Sequence, residues 1–312
     1  GDYPEWLDPY LTQAFGDDRV AEATAMASRA PLDLRVNTLK ATREKMLPSL
    51  AHLGVAPTPW SPIGLRIELG ADARNPGIHA EEDFIKGAIE VQDEGSQLAA
   101  LLSAAKPGEQ VIDLCAGAGG KTLALAAMMQ GKGRLIATDH DKRQLAPIYE
   151  RLSRAGVHNC DVRTPKGPND TLSDIHATAD LVLIDAPCTG TGTWRRNPDA
   201  KWRMRPGALE VRLKDQVTVL DRAAALAKLG GRIAYITCSV LPQENGEQIR
   251  AFVARHPEFS VVLPEQTAAV LWDKAEDFAA AALQSTEGWL MTPRRTGTDG
   301  FFVSVLKRAM PA

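Results

Sequence analysis

No apolar run in the 312 residues approaches the roughly 18 needed to cross a bilayer. The opening "GDYPEWLDPY" has no basic stretch followed by an apolar one, so it does not read as a secretory signal. Cysteine is scarce. Cys115, Cys160, Cys188 and Cys238 lie far apart, with no Cys-x-x-Cys pair, which argues against a zinc site and against a secreted disulfide scaffold. Six scattered histidines give no metal-ligand spacing. Internal repeats and low-complexity tracts are absent too. A cytoplasmic protein with no membrane and no metal is expected. An excess of positive charge is also missing, since the net charge is −3. Its distribution is uneven, however. From Trp194 to Lys214 there are seven basic and two acidic residues, a net +5, so the rest of the chain carries −8. A cationic patch on an acidic protein suits a polyanion, though a solvated loop and helix face would look the same.

The chain changes rhythm near residue 90. Before it, short helical stretches ("PEWLDPYLTQAF", "DRVAEATAMAS"), one strand ("PLDLRVNTL") and a Pro-rich run ("VAPTPWSPIGLRIEL") predict a small α+β domain over 1–90. From 91 to 312, apolar strands alternate with amphipathic helices. "VIDLC", "RLIATD", "ADLVLIDAP" and "GRIAYITCS" are the clearest strands, with a short one near "CDVRT". This alternation predicts an α/β fold with a mostly parallel sheet and right-handed crossovers. "GWLMTPRR" and "GFFVSVLKR", joined by "TGTDG", predict an antiparallel hairpin at the sheet's end.

The loop "DLCAGAGGKT" follows the first of these strands, where doubly wound sheets bind ligands. A phosphate-binding P-loop would need Gly where Cys115 stands, and a dinucleotide fingerprint would need Gly where Thr122 stands. S-adenosylmethionine, which has no phosphates, remains. Gly117, Gly119 and Gly120 would allow its close approach to the backbone. Asp139 ends the second strand, where an acid accepts from ribose hydroxyls; the alternative for Asp139 is a helix N-cap.

Two strands end in thiols, in "DAPCTGTGTWRRNPDAKW" and "YITCSVLPQENGEQI". Together with "DLCAGAGGKT", "LRVNTLK", "VQDEGSQL" and the late "GTDGFFVSVLKR", they make the chain resemble the Sun/Fmu-type (RsmB-like) RNA 5-methylcytosine methyltransferases from about residue 30 to the end. That resemblance implies a Rossmann-like methyltransferase fold and S-adenosylmethionine as cofactor. The implied reaction is methyl transfer to cytosine C5 of RNA, with 16S ribosomal RNA as the leading substrate and tRNA the alternative. Cytosine C5 is a poor nucleophile until a thiolate adds to C6, and the adduct must later be dismantled, which is why two thiols are wanted. By resemblance Cys238 is the nucleophile and Cys188 assists release. Asp185 stabilises charge on the cytosine ring and also lies near the cofactor. Cys115, Ala116, Gly117, Ala118, Gly119, Gly120, Lys121, Asp139 and Asp161 are the other cofactor residues expected, Asp161 as the third-strand acid. Arg195, Arg196 and Lys201 are expected on RNA phosphates, with Trp194 or Trp202 offering a stacking face. Typical relatives have Pro within the first loop, where this chain reads Ala116-Gly117-Ala118-Gly119. The helical RNA-binding domain that many of them carry ahead of this core is not in these 312 residues. A monomer is expected. An NAD-dependent oxidoreductase and a silent RNA-binding module are the competing readings; neither explains the thiol pair.

Overall fold

The computed structural model describes residues 2–311. A four-stranded antiparallel sheet comes first: β1 (Leu32–Val36), β2 (Ala56–Pro57), β3 (Gly64–Ile67) and β4 (Ile89–Val91), in spatial order β2-β3-β1-β4. The Pro-rich run supplies only the short β2 and β3, as proline's missing N–H requires. Two helices, Asp8–Phe15 and Arg19–Met26, precede this sheet but, with Leu7 just ahead of them, bury Leu11, Phe15 and Met26 with Trp194, Leu209, Val240 and Leu241 of the larger domain.

The larger sheet contains β5 (Gln110–Asp113), β6 (Arg134–Thr138), β7 (Cys160–Arg163), β8 (Ala179–Asp185), β9 (Ala227–Thr237), β10 (Phe259–Val261), β11 (Leu283–Gln284), β12 (Trp289–Met291) and β13 (Phe301–Arg308). Their order is β11-β12-β13-β9-β8-β5-β6-β7, with β10 also paired to β13. β5 to β9 are parallel, as expected for a Rossmann-like methyltransferase fold. Their continuous apolar runs follow from coverage on both faces: Val111, Ile112, Leu135, Ile136, residues 181–184 and 233–236 are all fully buried. Pro147 divides the helix after β6 into Lys142–Leu145 and Ile148–Ala155, because it has no N–H to continue the ladder.

The C-terminal strands pair antiparallel as expected (Leu290 opposite Phe302), but a short helix, Pro293–Thr296, joins them in place of a tight turn. β13 lies between β12 and β9, with Phe302 opposite Thr237. The end of β13 that leads in from Gly300 is thereby set beside the thiol of Cys238. No helix among the described residues is long and apolar enough to cross a membrane.

Candidate active site

β5 is flanked by β6 and β8, so the chain's progress across the sheet reverses there. At the carboxyl ends of these strands lies a cavity of about 480 Å³. Cys115, Ala116, Gly117, Ala118, Gly120, Lys121, Asp139 and Asp185 line it, as do Gln92, Asp93, His140, Arg151 and Pro187, which the sequence did not single out for it. The loop after β5 can turn so tightly because Gly117 has φ +52° and Gly119 φ +91°. A Cβ on Gly117 would meet open space, whereas one on Gly119 would stand 2.6 Å from Ile148 Cγ1. Gly119 is therefore required by packing and does not line the cavity.

Asp139 is not a helix N-cap; Asp141 fills that position and accepts from Arg143 N. Asp139 instead ties two loops to the end of β6. Its Oδ2 accepts from Gly117 N at 2.9 Å and its Oδ1 from Asp141 N at 2.9 Å. Asp113 is buried beneath the loop, accepting from Thr122 Oγ1 at 2.7 Å, and burial pushes its carboxyl up to about 7. Lys121 opens the helix Gly120–Met128 and donates to Asp185 Oδ2 at 2.7 Å, with its ammonium 5.1 Å from the centre of the Phe301 ring. A P-loop lysine must be free for phosphate; this one is held by a carboxylate.

The sulfurs of Cys188 and Cys238 are 3.4 Å apart. They sit at the ends of the adjacent parallel strands β8 and β9, and Pro187, next to Cys188, is part of the cavity wall. The hydrogen bond to Cys238, reinforced by burial, raises the Cys188 thiol well above its usual range. Its protonated form is thereby favoured, and either sulfur can donate in the contact between them. Burial likewise raises Cys115, and it pushes Cys160 up to about 12, so both are inert packing thiols.

Glu244, fully buried, holds the two cysteine loops together. Its carboxylate accepts from Thr189 N at 2.8 Å and Thr189 Oγ1 at 2.6 Å on one side. On the other it accepts from the Ser239 hydroxyl, and Gln216 Nε2 donates to it at 3.1 Å. Thr189 follows Cys188 and Ser239 follows Cys238. The helix after this loop begins only at Gly246, which leaves Glu244 in the loop. A second close approach joins the Cys188 loop to the start of β13: Gly192 N donates to Cys238 O at 2.9 Å, and Gly300 N to Gly192 O at 2.8 Å. A Cβ on Gly192 would stand 2.2 Å from Gly300 O.

Several expected residues lie elsewhere. Asp161 is outside the cavity; it faces Arg134 and Arg163 at 3.4 and 3.0 Å, because its register opposite Ile136 puts it short of the strand end. Arg195 is buried and paired to Asp299 at 2.6 Å and Asp93 at 3.2 Å. Arg196 pairs with the same two acids at 2.5 and 2.8 Å. Lys201 is buried against Asp2 at 2.7 Å, and Trp194 is buried among the N-terminal helices. Arg195 and Lys201 thus have their charges matched inside the protein, whereas Arg196, paired to the same acids as Arg195, stays partly exposed. The exposed cations of the basic segment are Arg196, Arg203, Arg205 and Lys214, and Trp202 beside them is 53% exposed.

Residues 100–307 match the family model of the 16S rRNA methyltransferase RsmB/F, and residues 3–74 match that of the RsmF/B-like ferredoxin-like domain. The ribosomal RNA small subunit methyltransferase B of Sodalis glossinidius is 34% identical over 96% of this chain and 64% of its own length. A probable ribosomal RNA small subunit methyltransferase B of Synechocystis is 31% identical over 98% of this chain and 67% of its own. The chain thus spans about two thirds of the length of these curated relatives, and less in the case of the Sodalis protein. A methyltransferase homolog protein from Pyrococcus horikoshii superposes with a TM-score of 0.76 at 25% identity, covering 98% of this chain and 95% of that one.

Proposed function

The chain belongs to the 16S rRNA methyltransferase RsmB/F family, and from that membership we propose that it methylates C5 of a cytosine in RNA, small-subunit ribosomal RNA in particular, using S-adenosylmethionine. The contact of the two sulfurs at 3.4 Å, beside a cavity walled by Pro187 and Asp185, carries this reading. The cavity suits the donor. Asp93, Asp139 and Asp185 line it, which favours a ligand bearing sulfonium and ammonium charges and disfavours a polyphosphate. Asp139 would hold the ribose and the loop from Cys115 to Gly120 the methionyl part. Bound there, the donor supplies an electrophilic methyl group.

Cys238 as thiolate adds to C6 of the cytosine, which makes C5 nucleophilic; once C5 has gained the methyl group, loss of its proton to solvent returns the electron pair that breaks the C6–S bond and expels the thiolate. Cys188, still protonated, stabilises the Cys238 thiolate before attack and assists its departure afterwards. Asp185, held by Lys121, hydrogen-bonds the N3/N4 edge of the ring and fixes its orientation. The domain limits we assign are 1–90 for the accessory α+β unit and 91–312 for the methyltransferase unit. A cytoplasmic monomer leaves one face open to RNA. That face uses Trp202, Arg203 and Arg205 as the exposed cation and stacking groups, in place of the buried Arg195 and of Arg196, which is matched by Asp93 and Asp299.

Incubation with tritium-labelled donor and small-subunit ribosomal RNA, followed by nucleoside analysis, should yield 5-methylcytidine; N4-methylcytidine or no transfer would overturn the reading. Replacing Asp139 by Ala removes the ribose acceptor and loosens Gly117. Calorimetry should then show donor affinity reduced at least about ten-fold, the equivalent of roughly 1.4 kcal/mol. An unchanged affinity would place the ribose elsewhere.

A further inference from the structure

Three guanidinium groups crowd one carboxylate at the edge of the cavity. Glu90, buried on β4, accepts from Arg151 Nη2 at 3.2 Å and from Arg154 Nη2 at 2.6 Å. Arg35, the cross-strand partner of Glu90 on β1, is buried as well. Its Nε donates to Gln92 Oε1 at 2.8 Å, and its Nη1 has no hydrogen-bond partner. Burial lowers Arg35 to about 10, so it stays charged at neutral pH. One carboxylate against three guanidiniums leaves a surplus of positive charge. Arg154 turns toward the Phe84 ring, 4.1 Å from its centre. Arg151 and Gln92 face the cavity.

Arg151 is also fixed in place. Its Nη1 donates to Ala118 O at 3.1 Å, which sets the guanidinium against the glycine loop just ahead of the helix Gly120–Met128. A helix N-terminus adds its own preference for negative charge at that position. The other cation of the cavity wall, Lys121, is already matched by Asp185. A ligand that is anionic at one point only would find its counter-charge at Arg151, whose guanidinium has five N–H groups and gives only two of them to Ala118 O and Glu90.

We propose that Arg151 binds the α-carboxylate of the methyl donor and so distinguishes S-adenosylmethionine from its decarboxylated form. This rests on the methyltransferase reading above, since the carboxylate is that donor's only anionic group. Titration calorimetry of the full chain with both compounds, in the absence of RNA, tests it. The unaltered protein should bind S-adenosylmethionine at least ten-fold more tightly than decarboxylated S-adenosylmethionine. Arg151→Met should lose that preference, with the decarboxylated compound bound within two-fold of its original affinity. Arg151→Lys, which keeps the charge but not the fork, should retain part of it. If Arg151→Met weakens both compounds equally, Arg151 is only a strut for Ala118 and the assignment fails. It fails also if the preference survives the substitution. If the unaltered protein binds neither compound, the methyltransferase reading falls first and this assignment with it. Thermal melting of each variant separates these results from loss of the fold.

Discussion

A Cys188→Ala protein incubated with substrate RNA and donor should run on a denaturing gel as a covalent protein–RNA complex. A Cys238→Ser protein should form no complex and should lose methyl transfer by on the order of 10³-fold or more, the scale expected when a nucleophile is removed. The asymmetry follows from the roles proposed for the two thiols. The two sulfurs touch at 3.4 Å, and the contact with Cys238 together with burial raises the Cys188 thiol, which suits it to act as the protonated partner. On the proposed assignment Cys238 is the attacking sulfur. Removing Cys188 spares that lone pair and removes the group that helps break the bond. The same gel with the two results exchanged would reverse the assignment.

Glu244→Ala should be the most damaging substitution outside the thiols. It strands the Thr189 N–H, the hydroxyls of Thr189 and Ser239, and one amide proton of Gln216, all buried or nearly so. Each unsatisfied buried group costs about 1–3 kcal/mol, so a loss of several kcal/mol in a denaturant titration is expected. Glu244→Gln keeps the shape and two of the acceptor positions. It should fold, yet the sulfur separation is no longer fixed from both sides. The expected outcome is a fall of about 10²-fold in kcat with little change in KM for the donor, because misplacement near 1 Å costs that much in a positioned reaction. If Glu244→Gln has the parent kcat, the carboxylate only supports the fold.

The parallel sheet was legible because β5, β6, β8 and β9 are buried on both faces, so their sequences are almost uninterrupted apolar runs. The thiols were legible because each ends such a run, and two parallel neighbours must bring their ends together. What the sequence concealed was charge pairing. "WRRNPDAKW" reads as a solvated basic patch until the fold brings Asp93 and Asp299, each roughly a hundred residues away, onto Arg195 and Arg196. A cation count along the chain does not register acids so distant. Asp161 misled for a different reason: strand composition predicted β7, but a shift of two residues in register decides whether an acid reaches the cavity. Glu244 was hidden by a helix boundary, the least certain feature of any sequence reading, since "ENGEQI" satisfies helical preferences before Gly246 as well as after it.

The central claim is that the Cys238 sulfur forms the bond to the base. RNA carrying 5-fluorocytidine at the target tests it most directly, because fluorine at C5 cannot leave as a proton does and the adduct cannot resolve. After incubation with donor and proteolysis, mass spectrometry should find the modified nucleotide on the peptide containing Cys238. Attachment to the peptide containing Cys188, or methyl transfer to ordinary RNA with no attachment to either, would contradict it.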